Sequence, residues 1–336
     1  MLTGPIITGS VPFNLKANSL TSYISSLSCS GNKYKNLHPY FITGFADAEA
    51  SFCILLTQNN KYKQGWNVRL SFQITLHKKD IAVLEAIMDY FNGVGGIFKE
   101  GERDSVKYKV ASIKCLNLII EHFDKYPLIT QKQADYLLFK QALELVNCKK
   151  HLTPEGLNQI VSKRAAMNNG LTEKLKKHFP NVLPETRPLV QNREILDPNW
   201  LVGFTAGEGS FLIQTAKSVS HKSGYRVLLR FAIGQHIKDA QLISNLIAYL
   251  GCGRYSESLN YAEFAVTKFS DISEIIIPFF EKYPIIGVKA KDFLCFCQAA
   301  VILSNKYHLT EKGLEEIFTL KRSMNRERVW KKEDLT

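Results

Sequence analysis

From residue 66 to residue 77, apolar and polar positions alternate without a break. Val68, Leu70, Phe72, Ile74 and Leu76 fall on one side, and Asn67, Arg69, Ser71, Gln73, Thr75 and His77 on the other. A period of two over this length predicts a strand with one buried face and one solvated face. Asn59-Asn60 through Gly65 supplies a turn that pairs it with a strand over 51–58. A helix is expected at about 79–91. Two more strands follow over 97–100 and 105–113, the latter alternating Val106, Tyr108 and Val110 against Ser105, Lys107 and Lys109. Helical periodicity then fills 116–123, 130–146 and 153–168. Upstream, in HPYFITGFADAEASF (38–52), Pro39 sits where a helix would begin, and about three turns end on Glu49. The predicted order is αββαββα with a helical tail.

The second half repeats the first. Pro198, Glu208, Gly224, Val227, Phe231, His236 and Asp239 each lie 159 positions after Pro39, Glu49, Gly65, Val68, Phe72, His77 and Asp80. The offset is 158 for Gly251/Gly93, and 157 for Tyr283/Tyr126, Pro284/Pro127 and His308/His151. This is an internal duplication. Two copies are too few for a solenoid, so pseudo-twofold packing of halves is expected. The divisions are an extension over 1–35, a first half over 36–171, a linker over 172–196 and a second half over 197–336. The extension is rich in Ser, Asn, Thr and Gly, and is expected to be loosely ordered with local docking through Ile6, Ile7 and Phe13. The linker carries Pro180, Pro184 and Pro188, many charges and one helical piece at 173–178; its length suggests that it crosses the molecule to join the halves.

Inside the repeated helix, small residues recur four apart: Gly44 and Ala48 in the first copy, Gly203 and Gly207 in DPNWLVGFTAGEGSF (197–211). Residues so spaced share a helix face, and small faces let two backbones approach closely. Packed that way, Glu49 and Glu208 arrive together at the bottom of the helix interface. Either acid alone could be incidental to a core helix, but the repeat puts Glu at the same position twice, each time followed by Ser-Phe. Two carboxylates repel, and each also sits at a negative helix C-terminus. The pair calls for a cation, and hard oxygen ligands suit Mg²⁺ rather than zinc.

Charge points to the partner. The net charge of +12 at 336 residues, with a pI near 9.2, suggests a polyanion: nucleic acid first, an acidic membrane surface second. No apolar run reaches bilayer-spanning length. Seven cysteines lack CxxC or Cys/His metal spacing and read as thiols of a reducing compartment. The first thirty residues, with one Lys and no Arg, are not a convincing transit peptide. The polar strand faces carry Arg69, Ser71, Gln73, Thr75, Lys107 and Lys109 in one half and Arg226, Arg230 and Tyr261 in the other. Ser51, Cys53, Leu55 and Thr57, and likewise Ser210, Leu212 and Gln214, are assigned to the same faces. β-Ribbons fit the DNA major groove, where Arg, Gln and Lys read base edges. Two such sheets would straddle a duplex, with the carboxylates over the minor groove between them.

The stretches FITGFADAEASF and LVGFTAGEGSF resemble the two signature helices of single-chain LAGLIDADG homing endonucleases, particularly the intron-encoded group of fungal mitochondria. LSFQITLHKKD, GVGGIF, FDKYPLITQKQADYLLFKQA, FAIGQHIKD, YLGCGRY, VTKFSDI and HLTEKGL extend the resemblance over about 38–328. It implies an α+β fold of two αββαββα halves with saddle-shaped antiparallel sheets and the signature helices at the interface. It also implies a mitochondrial monomer that makes Mg²⁺-dependent double-strand cuts with 3′ overhangs at a long asymmetric DNA site. Two or three divalent ions would be held by Glu49, Glu208 and the carbonyls of Ala48 and Gly207. Gln73 and Lys268 match flanking catalytic positions, whose counterparts are Ala232 and Ser112, so the two sites would be unequal. Alternatives are an RNA maturase assisting intron splicing, or a DNA binder impaired in cleavage. The last is motivated by Ala50, which replaces the usual glycine and costs about 1 kcal/mol if the turn needs φ > 0, and nothing if φ is negative. His77 and His236 are expected to cap or pack, and Asp47 and Asp80 to be solvated or structural. Lys132, Lys289, Asp135 and Asp292 are expected as surface charges of the helices behind the sheet.

Overall fold

A computed structural model describes residues 34, 36–101, 104–190, 194–221 and 223–324. The extension residues Ile6, Ile7 and Phe13 lie outside the described residues. The chain divides into two compact units, Leu37–Arg193 and Glu194–Thr336 with Met1–Asn36.

In the first unit, α1 (Pro39–Glu49) starts on its proline and runs into β1 (Ala50–Gln58). A turn closed by Asn59 N–H donating to the Gly65 carbonyl leads to β2 (Trp66–His77). Gly65 sits at φ +71°, where a side chain would be strained. Then come α2 (Ile81–Tyr90), β3 (Gly96–Lys99), β4 (Ser105–Val110), α3 (Ile113–Lys125), α4 (Lys132–Asn147) and α5 (Pro154–Ala166). The antiparallel sheet has the order β1-β2-β4-β3. Its apolar face buries Phe52 against Phe72, Phe123, Tyr136 and Phe139, with ring centroids 5.4–5.6 Å apart. Each fully buried phenylalanine stabilises by roughly 1.5–3 kcal/mol. His122 is buried where its ring nitrogens meet Thr43 Oγ1 of α1 (3.2 Å) and Tyr90 OH of α2 (3.0 Å). Burial pushes its pKa down to about 3.

The stretch after α5 is tied along this unit. Thr172 caps α6 (Glu173–His178), Leu175 is buried, and Trp66 packs on His178 and Phe179. Ser162 Oγ donates to the Leu183 carbonyl, Lys163 pairs with Glu185, and Arg187 pairs with Asp135.

The second unit repeats the order: α7 (Pro198–Glu208), β5 (Gly209–Lys217), β6 (Tyr225–His236), α8 (Ala240–Leu250), β7 (Arg254–Glu257), β8 (Tyr261–Val266), α9 (Phe269–Asp271), a π-turn at Ile272–Ile276, α10 (Ile277–Lys282), α11 (Lys289–Ser304) and α12 (Glu311–Arg322). Asp197 accepts from Asn199 N–H as the N-cap of α7. The sheet order is β5-β6-β8-β7, and Phe211 takes the place of Phe52, 5.0–5.5 Å from Phe231, Phe280, Phe293 and Phe296. Tyr34 OH accepts from Gly287 N–H.

The register locates the drift in the repeat. Phe72 pairs with Val110 and Phe231 with Val266, so β4 and β8 are 156 apart, whereas Tyr126 and Tyr283 are 157 apart. The second unit therefore holds one extra residue between them, taken up by the π-turn where the first has uninterrupted α3. Two expectations shift. The strand expected over 105–113 ends at Val110, and Ile113 already opens α3. Asn67 and Ser71, expected on a wet face, are buried, Ser71 with its hydroxyl accepting from Gln73 Nε2.

Candidate functional site

Each motif helix ends on its carboxylate with the same backbone geometry. After Glu49, Ala50 has φ −80° and ψ 157°; after Glu208, Gly209 has φ −71° and ψ 156°. Both are extended, so Ala50 is unstrained. Glycine at 209 has another cause: a Cβ there would lie 2.4 Å from Thr205 Cγ2. The first copy has Ala46 at that position, which leaves room for Ala50.

The helix ends are capped by cations that sequence reasoning misassigned. Lys132 Nζ donates to the carbonyls of Ala46 (2.9 Å) and Ala48 (3.1 Å), and Lys289 Nζ to that of Gly207 (2.6 Å). These lysines are not charges on the outer helix surface. An ammonium at a helix C-terminus satisfies orphan carbonyls and opposes the negative end of the dipole. Asp135 and Asp292 are not surface charges either: Asp135 accepts from Asn168 N–H and pairs with Arg187, and Asp292 is buried. Asp47 is buried and accepts from the N–H groups of Ile129 and Thr130 and from Thr130 Oγ1, fixing the turn just before Lys132. His77 and His236 act as caps, each Nδ1 accepting from the backbone N–H two residues on.

Glu208 Oε1 accepts from Gln235 Nε2 at 3.2 Å. Sequence reasoning missed this residue, although its signal was available: Gln235 shares strand parity with buried Phe231 and Ile233, where a polar side chain is out of pattern. Its counterpart is Leu76. Gln73 lies opposite Ser51 in the register. Lys268 precedes α9 as Ser112 precedes α3; its side chain is 75% exposed and pairs with Asp271 at 3.1 Å.

The first sheet gathers Ser51, Cys53, Leu55 and Thr57 of β1, Arg69, Ser71, Gln73 and Thr75 of β2, and Lys107 and Lys109 of β4 onto one face. A groove of about 630 Å³ runs over it, bordered by Arg69, Gln73 and Lys109 and also by Arg164 and Asn168 from the end of α5. Asn168 Nδ2 donates to the Phe52 carbonyl, covering the open edge of β1. Cys53 sits among these groups; burial pushes its thiol pKa up, against the pull of Arg164, Lys107 and Lys109. Lys107 pairs with Glu100.

The second sheet groups Ser210, Leu212 and Gln214 of β5, Arg226 and Arg230 of β6, and Tyr261 of β8. Arg230 pairs with Glu263, and the Tyr261 hydroxyl lies over Gly234, where a Cβ would collide with it. Among the described residues, no cluster of three or more His, Cys, Asp or Glu could hold a metal, and no helix is long and apolar enough to cross a membrane. The donors on offer are a carboxylate and adjoining carbonyl oxygens at the end of each motif helix.

Two αββαββα halves, each with an acid closing its first helix and a polar-faced antiparallel sheet, define a duplicated α+β class. The chain belongs to the LAGLIDADG endonuclease family, whose sequence profile matches residues 42–143 and 201–300. Two Neurospora crassa proteins, "Probable intron-encoded endonuclease 2" and "Probable intron-encoded endonuclease 3", are 42% identical over 304 residues and 41% identical over 292 residues. These matches cover 87% and 86% of this chain, which spans only 66% and 55% of the length of those relatives. Among solved structures, the I-SmaMI LAGLIDADG homing endonuclease bound to cleaved DNA is 45% identical with a TM-score of 0.86, over 88% of this chain and 99% of that one. I-SmaMI bound to uncleaved DNA in the presence of calcium ions is 46% identical with a TM-score of 0.84, over 86% and 99%. The LAGLIDADG meganuclease I-CpaMI bound to uncleaved DNA is 45% identical with a TM-score of 0.83, over 86% and 99%.

Proposed function

We propose that this chain is a monomeric, site-specific endonuclease of double-stranded DNA that cuts both strands of a long asymmetric target across the minor groove and leaves 3′ overhangs. The observation that carries the reading is the twice-repeated helix end, a carboxylate beside a lysine-capped carbonyl. In this reading Glu49 and Glu208 are the metal-binding acids of the two motif helices. The donors fit a hard divalent ion, Mg²⁺ in the cell: the carboxylates of Glu49 and Glu208 and the carbonyls of Ala48 and Gly207, each with a second lone pair beyond the one its lysine uses. Bound there, divalent ions supply phosphate polarisation and a lowered water pKa. The chain's own groups do the rest. Lys132 and Lys289 hold the helix ends and add positive charge where phosphate oxygens would approach. Gln235 orients Glu208, while Gln73 and Lys268 flank the site. The sheet faces bind the duplex. Intron-encoded relatives, among them a protein of ND4 intron 1 in Podospora anserina, support a mitochondrial setting. The unstrained Ala50 removes the reason for expecting a non-cutting binder.

Incubation with a randomised duplex library and Mg²⁺ should yield cleaved products from the parent. Glu49→Gln and Glu208→Gln should each lower cleavage by at least about a hundred-fold while leaving duplex binding intact. Tight binding without cleavage by the parent would reject the nuclease reading. Stimulated intron splicing that survives both substitutions would instead identify a maturase activity.

A further inference from the structure

Arg230 and Glu263 stand on the polar face of the second sheet, on neighbouring strands β6 and β8. Glu263 is paired in register with Gly234, and the step between it and Arg230 is occupied by the paired residues Ala232 and Ala265. Both alanines are buried, so the long arginine side chain crosses a floor of methyl groups to reach the carboxylate. Its NH2 group donates to Glu263 Oε1. The two side chains are 18% and 20% exposed. The pair is thus held in one conformation yet open on its outer side. One guanidinium edge is committed, other N–H donors remain, and the carboxylate keeps unused acceptor positions.

Two donors next to an acceptor are a specific complement. In the major groove a G·C pair presents guanine N7 and O6 as acceptors and the cytosine N4 amino group as a donor. An A·T pair keeps the N7 acceptor but puts the adenine amino group in place of O6 and thymine O4 in place of the cytosine amino group, so one of the two guanidinium contacts and the carboxylate contact are lost. We propose that Arg230 and Glu263 together read one G·C base pair in the half-site that faces the second unit. Arg230 donates to the guanine and Glu263 accepts from its paired cytosine. This rests on the duplex-DNA reading given above. Glu263 is also a positioning residue, since it fixes the guanidinium before DNA arrives and spares rotamer entropy on binding. The corresponding residues of the first unit are Ser71 and Lys107, and Lys107 pairs with Glu100, so no such reader exists there. Discrimination of this kind would be confined to one half of the target, as an asymmetric site requires.

The test is selection of bound duplexes from a randomised library by the full chain, comparing the parent with Arg230→Lys, Arg230→Gln and Glu263→Gln. Thermal unfolding of each variant controls for folding; Arg230→Lys, which keeps the charge and loses the fork, serves if the glutamine variant unfolds. The parent should enrich a G·C pair at one position by roughly ten- to a hundred-fold over A·T. Both Arg230 variants should lose that preference at that position alone. Glu263→Gln should relax it while leaving the rest of the profile in place. Variant profiles that match the parent everywhere, or that change only at an A·T position, would overturn the proposal. A parent that enriches no sequence at all would overturn the duplex-reading sheet itself.

Discussion

The ends of the two motif helices reach the same backbone geometry by different means. In the first unit, Asp47 locks the Ile129–Thr130 turn that carries Lys132, and an Ala46/Ala50 pair fills the helix exit. In the second unit, Ala206 and Gly287 stand where Asp47 and Thr130 would be, and the exit holds Thr205 against Gly209. There Glu208 has Gln235 as a partner, whereas the first unit has Leu76 at that position. What the repeat keeps is the acid, the extended residue after it and the lysine on the carbonyl; what it changes is the support. Function constrains the few atoms at the helix end, and packing can satisfy them in more than one way.

The comparison can be broken most severely at Asp47. Asp47→Ala strands two buried N–H donors and a hydroxyl, each costing about 1–3 kcal/mol, so unfolding in denaturant should show a loss of at least about 3 kcal/mol. Ala206→Ser in the other unit should stay within about 1 kcal/mol, because no such lock exists there.

Gly209→Ala should cost about 1–3 kcal/mol by overpacking on Thr205, and Thr205→Ala should restore only the part due to the Cγ2 contact, since the 2.7 Å approach to the Thr205 carbonyl oxygen stays. The reverse change, Ala50→Gly, meets no clash to relieve and should move the midpoint by less than about 1 kcal/mol.

Acid should weaken the first unit through His122. Folded His122 titrates near 3 and an unfolded histidine near 6.5, so the unfolded chain takes up the proton first. Stability contributed by the neutral ring is complete above pH 6.5 and is lost as pH falls, by about 1.4 kcal/mol per unit, until the folded ring protonates near pH 3. The counterpart is Phe279, which carries no proton. His122→Phe should therefore flatten the pH dependence of unfolding between pH 6 and 4; an unchanged slope would remove His122 as its source.

The smallest effect expected is on strand preference. Gln235→Leu makes the second site resemble the first and removes one hydrogen bond to a carboxylate, worth on the order of 1 kcal/mol. The ratio of the two nicked intermediates in a cleavage time course should shift several-fold, with little change in binding.

Much of this was legible without coordinates, because the signals are local and periodic. Alternation around Phe72 gave β2, Pro39 and Pro198 marked the helix starts, and the offsets exposed the duplication before any fold was known. The strand expected over 105–113 ends at Val110, where the alternation breaks: Ala111 and Ile113 are apolar and Ser112 polar, out of phase with Val106, Tyr108 and Val110. The losses at the site share a cause. Lys132 meets a carbonyl 84 residues earlier and Lys289 one 82 residues earlier, and Asn168 covers a strand 116 residues away; no periodicity reports such contacts. Gln235 was legible as a parity violation, yet only its reach to Glu208 gives the violation a meaning.

The π-turn at Ile272–Ile276 has a consequence for how a tandem gene can age. A residue inserted into an ordinary helix would rotate everything beyond it by about 100° and swing Lys289 off its carbonyl. A single widened turn takes up that slack, so the copies can differ in length while the ammonium stays within 2.6 Å of Gly207.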